Sequence, residues 1–274
     1  MGRIPASKIY NILSNLNGIA ALYVEDCSTG ETLEINPNIK FPACSVIKIP
    51  MYALLLKDAE EGRVNLDEPH KILLENRVAG TGILCDLNPS LEPTLRDLGK
   101  LMIIMSDNIA TNEIMDIIGV ERFQAFCVRE GCPNFVWQRK MMDFEAIKKG
   151  LNNYLQAGET GKVIARIAKE TFVNKAVSEM IFKTMCLQKY RNKLPSLLPV
   201  VQPYSGITNN VPEGMVLCAN KTGDLVGIQH DVGVFLLPDG RRYVIAMFTK
   251  NLTNDIDGIE AIAKVSLEVY KAIC

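Results

Sequence analysis

Phe41-Pro42-Ala43-Cys44-Ser45-Val46-Ile47-Lys48-Ile49-Pro50-Met51-Tyr52-Ala53-Leu54-Leu55-Leu56 is the stretch around which this chain is organised. It opens like a loop, because Pro42 holds Phe41 extended, and then runs apolar as far as Leu56. Asp58, Glu60 and Glu61 follow, and Gly62 is placed as a helix stop. Apolar side chains on nearly every side predict a helix buried all round. Ser45 and Lys48 are the two polar breaks in it. Three residues apart on a helix, they share one face about a turn apart. An unpaired buried ammonium is costly, so Lys48 is expected to be partly neutral or strongly hydrogen-bonded. A neutral lysine beside a serine is a base beside a nucleophile. The plainer reading makes Ser45 a helix cap and lets Lys48 reach solvent. Pro50 is a fault in a simple helix: it removes one hydrogen bond and crowds the carbonyl of Val46, at about 3 kcal/mol.

Outside this stretch, 274 residues allow one large domain or two small ones, with ample material for a core. Hydrophobic residues make up 48% and charged residues 22%, and 30 basic against 31 acidic side chains leave a formal charge of −1. That balance gives no reason to expect nucleic acid or an anionic membrane as partner. No apolar run reaches membrane-spanning length, and Met1 to Lys8 carry no apolar signal core. The eight cysteines form no C-x-x-C pair and no zinc spacing. Reduced thiols and a cytoplasmic location are therefore expected.

Helical spacing over Pro5–Asn17 is followed by two strands, Ile19–Glu25 and Thr32–Ile35, around the turn Cys27-Ser28-Thr29-Gly30. After the central stretch the pattern is helical from Thr94 to about Leu187, over Leu95–Met105, Ile109–Ile118, Arg122–Val128, Lys162–Ala168 and Ala176–Met185. A Pro-, Ser- and Asn-rich loop spans Gln188 to Val211. Strand patterns return at Met215–Ala219, Val232–Leu237 and Tyr243–Thr249, before a closing amphipathic helix, Asp257–Ile273. A two-stranded hairpin alone is marginal, so strands from both ends must pair. The expected fold is α+β. An antiparallel five-stranded sheet, built from residues 1–40 and 212–274 and covered by the terminal helices, carries an inserted, mainly helical lobe, 41–211. The site is expected in the crevice between the lobes.

Three short elements carry the chemistry. Ser45-Val46-Ile47-Lys48 starts the buried helix, Ser106-Asp107-Asn108 sits at a break between two helices, and Lys221-Thr222-Gly223 closes a predicted strand. In this order, at spacings of 61 and 115 residues, the set resembles the class A β-lactamase-like serine hydrolases of the β-lactamase and penicillin-binding protein superfamily. The resemblance runs from about Asn17 to the C-terminus. It implies that Ser45 is acylated with Lys48 as base, and that Ser106 passes a proton to the leaving nitrogen. Asn108 would hold the substrate amide, while Lys221 and Thr222 would face a substrate carboxylate. The backbone N–H groups of Ser45 and of Asp224, the residue after Gly223, would form the oxyanion hole.

Two departures stand out. Asp224 is an acid beside the implied carboxylate site, and Leu225 stands where the lactamases often have Gly, which points away from ordinary penicillin specificity. If Asn153 matches the loop asparagine of the lactamases, a substrate-side position, then Lys149 occupies the place of their deacylating Glu. Glu145 is the remaining candidate for that role. Arg139-Lys140-Met141-Met142-Asp143 looks instead like the non-lactamase relatives. The expected activity is opening of β-lactams or related amides through a Ser45 acyl-enzyme that is released slowly. The alternatives are a D-alanyl peptidase or esterase, or a β-lactam-sensing module that acylates without turnover. No cofactor or metal is expected, and the partner is a small-molecule substrate. His230-Asp231 reads as a strand cap, Cys44 as a small packed residue, and Gly158-Glu159-Thr160-Gly161-Lys162 falls one spacing short of a phosphate loop.

Overall fold

A computed structural model describes residues 4–202 and 210–274, so residues 203–209 of the predicted loop and the first three residues lie outside the described residues. Helix α1 (Ala6–Ser14) leads into β1 (Ile19–Asp26) and β2 (Thr32–Ile35), paired antiparallel with Leu22 opposite Ile35. A short β3 (Lys40–Pro42) then delivers the chain to the central helix, α2 (Lys48–Glu60). The helical segment follows as α3 (Leu95–Ile104), α4 (Asn108–Ile118) and α5 (Val120–Arg129). It continues through a single-turn α6 (Phe144–Lys148), β4 (Tyr154–Gln156) paired with β3, α7 (Ala157–Ala168) and α8 (Lys175–Cys186). The chain returns through β5 (Leu217–Leu225), β6 (Ile228–Leu236) and β7 (Arg242–Lys250) to α9 (Asp255–Ile273).

The five-stranded sheet has the order β2-β1-β7-β6-β5, with strands from both ends of the chain in one antiparallel ladder. Both of its faces are covered, and the two-residue side-chain period divides its apolar residues between two cores. Ala21 and Tyr23 of β1 with Val244, Ala246 and Phe248 of β7 pack toward the helical segment. Leu22, Val24, Tyr243, Ile245 and Met247 pack toward α1 and α9.

The central helix is buried all round, from Lys48 to Leu56 and again at Asp58. It starts at Lys48, later than the sequence suggests. Cys44 to Ile47 form a turn held by short-range bonds, from Val46 N to Ala43 O and from Lys48 N to Ser45 O. Pro50 therefore falls in the first helical turn, where backbone N–H groups have no intrahelical acceptor, and its missing N–H costs nothing. Ser45 makes no side-chain cap bond to this helix.

The glycines of the 158–162 segment pack rather than bind phosphate. They lie in α7, which crosses the sheet so closely that a Cβ on Gly161 would sit 2.1 Å from Cγ of Tyr23. Alanine is intrinsically favoured over glycine in a helix by about 1 kcal/mol. Here the obstacle is the root of a buried ring, which has nowhere to swing. Gly161→Ala is thus expected to be net destabilising by about 1–3 kcal/mol; an unshifted or raised denaturant midpoint would show that the contact is slack.

Candidate active site

A cleft of about 320 Å³ opens between the β5 edge and the helical segment. Ser45 reaches it from the turn before α2, Ser106 and Asn108 from the start of α4, and Thr222 and Asp224 from β5. The three sequence elements, 61 and 115 residues apart, thus meet at one place. Lys221-Thr222-Gly223 lies inside β5 instead of closing it. Gly223 permits the approach: a Cβ there would lie 3.0 Å from Cβ of Cys44 and 3.3 Å from the backbone N of Ser45.

Two residues beside the reacting groups have left-handed backbones, Cys44 with φ 46° and Ser106 with φ 52°. Non-glycine residues in this region cost roughly 1–3 kcal/mol each, held by their surroundings. Around Cys44 the hold comes from both sides of the turn. Ala43 N donates to Asn153 O at 2.8 Å, and His230 Nε2 donates to Pro42 O at 2.8 Å. His230 Nδ1 accepts from Thr249 N, which fixes that tautomer. Burial lowers the His230 pKa to about 4, so the ring stays neutral. The cap assigned to His230-Asp231 is corrected here: both are buried in mid-strand, and His230 positions the turn that carries Ser45. Around Ser106, Asp107 caps α4 through Ala110 N, and its other oxygen accepts from Ile83 N and Leu84 N. A Cβ on Gly82 would collide with that carboxylate at 2.2 Å, and one on Gly80 would lie 2.6 Å from Nδ2 of Asn108.

Lys48 is 0% exposed, so it does not reach solvent. Its Nζ donates to Ser106 O at 2.8 Å and Asn108 Oδ1 at 3.0 Å, and lies 3.3 Å from Ser106 Oγ. These bonds tie it to the start of α4. Burial, and then the neighbouring Lys221, hold its pKa well below that of an ordinary lysine. A neutral amine has two N–H groups and one lone pair; the two carbonyl oxygens take the N–H groups, leaving the lone pair for a hydroxyl proton. Lys221, also fully buried, donates to Ser106 Oγ at 3.0 Å and Thr222 O at 2.8 Å. Burial lowers its pKa to about 7, against the pull of Asp224 and Asp231. Cys44 lines the cleft, but burial pushes its thiol up to about 12, so it stays protonated near neutrality.

Two expected residues stand elsewhere. Asn153 is buried outside the cleft lining: its Oδ1 accepts from Gln138 N and Arg139 N, and its Nδ2 donates to Arg139 O. It braces the 138–153 loop. Glu145 has a side chain 72% exposed and paired with Lys148 at 2.7 Å, on the outer face of α6. The inner face, with Phe144 and Ile147 one turn apart, lines the cleft together with Met141 and Met142. Arg139, Met141 and Met142 fall in the segment that resembles the non-lactamase relatives, though their sequence does not mark them as cleft lining; Phe144, Ile147, Tyr190 and Asn192 also line it, and the Phe144–Ile147 spacing is their one legible signal. Lys193, whose side chain is fully buried and bonded to Asp224, also gave no local signal.

A sheet covered on both faces, with two buried lysines and a serine between them at its edge, defines a serine hydrolase of the class A β-lactamase type. The sequence model of the Beta-lactamase enzyme family matches residues 4–273, and the chain belongs to that family. Among individual relatives, a β-lactamase from Bacteroides uniformis is 27% identical over 262 residues, covering 89% of this chain and 83% of that protein. The crystal structure of a β-lactamase from Sphaerobacter thermophilus superposes with a TM-score of 0.86 at 24% identity, over 97% of this chain and 95% of that one. A mutant of PBP-A, solved as an acyl-enzyme complex with penicillin G, gives a TM-score of 0.83 at 28% identity, over 97% and 95% of the two chains. No helix among the described residues is long and apolar enough to cross a membrane.

Proposed function

We propose that this hydrolase opens β-lactams or related amides through an acyl-enzyme on Ser45, and that the acyl group leaves slowly. The observation that carries the reading is Lys48, fully buried and bonded to Ser106 and Asn108 beside the cleft onto which Ser45 opens. Ser45 Oγ attacks the carbonyl carbon as its proton passes to Lys48 Nζ, and the backbone N–H groups of Ser45 and Asp224 hold the oxyanion. As the C–N bond breaks, Ser106 gives its proton to the leaving nitrogen and regains one from Lys48. Lys221 keeps positive charge near Ser106, Asn108 contacts the substrate amide, and Thr222 and Gly223 form the β5 wall. The PBP-A mutant trapped with penicillin G supports penicillin as the first probe.

Incubation with penicillin G is expected to leave an adduct on Ser45, located by peptide mapping, and none in Ser45→Ala. An adduct on Cys44 or another serine would sink the assignment.

The acylation rate should be bell-shaped in pH. Lys48 must be neutral to accept a proton, so the rate falls as pH drops through its lowered pKa. Lys221 is charged below about 7 and neutral above, so the positive charge it keeps near Ser106 fades as pH rises through 7. Lys221→Arg keeps the charge at every accessible pH and should remove the alkaline limb; a limb that persists in this variant belongs to another group.

A further inference from the structure

Lys193 and Asp224 form an ion pair at the cleft that the acylation chemistry leaves unused. The Lys193 side chain is 0% exposed, whereas that of Asp224 is 51% exposed and lines the cleft. Lys193 Nζ donates to Asp224 Oδ1 at 2.5 Å, His230 O at 3.1 Å and Gly223 O at 3.3 Å. An ammonium has three donors, and three acceptors use them all. The strands supply two of these acceptors as backbone carbonyls, and the third is the Asp224 carboxylate, which is thereby held at the cleft edge. The rest of the lining bears on the same point. Among the described residues that line the cleft, Arg139 and Asp224 are the two with a formal charge. Arg139 stands on the wall formed by the 138–153 loop, bonded to Asn152 Oδ1 and Lys140 O. On the β5 side the charge that faces the cleft is negative.

Resting on the acyl-serine reading, we propose that Asp224 sets the charge selectivity of this site. Its carboxylate faces the cleft two residues from Thr222 and repels a second anion placed beside that residue. The substrate class that follows is amides or esters that are neutral or amine-bearing on the side facing β5. Penicillins, which carry a carboxylate, are then usable probes but poor matches.

Penicillin G and its methyl ester differ in this one charge, and appearance of the Ser45 adduct can be followed for each by intact mass. In the unaltered protein the methyl ester is expected to acylate at least as fast as penicillin G. Asp224→Asn keeps the shape and an oxygen for Lys193 while removing the anion. It should raise the penicillin G-to-ester rate ratio by about tenfold, the effect of roughly 1.4 kcal/mol of relieved repulsion. The ratio is taken within one protein, so a smaller folded fraction cancels. A ratio unmoved by Asp224→Asn, with adducts present, overturns this inference alone. No Ser45 adduct with either compound overturns the acyl-serine reading and this inference with it.

Discussion

Lys48→Ala is expected to slow acylation of Ser45 by about 10²–10⁴-fold, the usual contribution of a positioned general base. The amine it removes lies buried beside the cleft, and burial holds its pKa well below that of an ordinary lysine, which favours the lone pair that accepts a proton. Lys48→Arg should not restore the rate, because a guanidinium stays protonated at every accessible pH. The substitution to alanine also strips partners from Ser106 O and Asn108 Oδ1, so Lys48→Met, which keeps the volume, belongs beside it. Circular dichroism reports whether each variant folds, and stopped-flow labelling with a fluorescent penicillin reports the rate. Unchanged labelling kinetics in folded Lys48→Met would make the lysine a structural tie and not the base.

The second large effect is expected in deacylation. Hydrolysing an acyl-serine ester requires a water near the carbonyl and a base to take its proton. The cleft wall formed by Met141, Met142, Phe144 and Ile147 offers no such base. Glu145 faces solvent and is paired with Lys148, while Lys149 ends α6 as an exposed cation. Loss of general-base help is typically worth about 10²–10⁴ in rate, so the penicillin adduct should persist for minutes or longer. Product formation should stop after a stoichiometric burst, and Glu145→Gln should leave the adduct lifetime unchanged. Turnover above about one per second, the low end of ordinary enzymes, would overturn this. If Glu145→Gln then abolished the turnover, the loop would have to swing Glu145 inward during catalysis.

Stability should also report on the buried lysine. A lysine whose pKa is lowered to about 7 in the folded state, against 10.5 for the free group, binds fewer protons folded than unfolded between these values. Its burial penalty is therefore largest below pH 7 and fades as pH rises toward 10.5.

Much of this was legible in the chain. The hairpin of β1 and β2, the helices α3, α4, α5, α7 and α8 and the closing α9 each announce themselves by local periodicity, because their apolar spacing follows from the repeat of the element itself. The serine, lysine and asparagine motifs were legible as well, since chemistry restricts which residue types can stand there. Other features were not. The start of α2 at Lys48 depends on the turn from Cys44 to Ile47, whose left-handed residue is held by Asn153 and His230, distant in sequence. His230 reads as a cap because strand β6 extends four residues beyond its apolar run, paired to neighbours that no local pattern reveals. Glu145 and Phe144 are adjacent in sequence, and the way α6 docks decides that the phenylalanine, not the acid, faces the cleft.

By itself, the sequence determined the class of fold, the order of its elements and the three motifs, because each is written in spacing and residue type over short range. Tertiary structure alone decided that Lys48 answers to Ser106 and Asn108, that the wall opposite is apolar, and that Lys193 closes on Asp224. A long side chain finds its partner through the approach of strands and helices tens of residues apart, and that approach is set by the packing of the whole core.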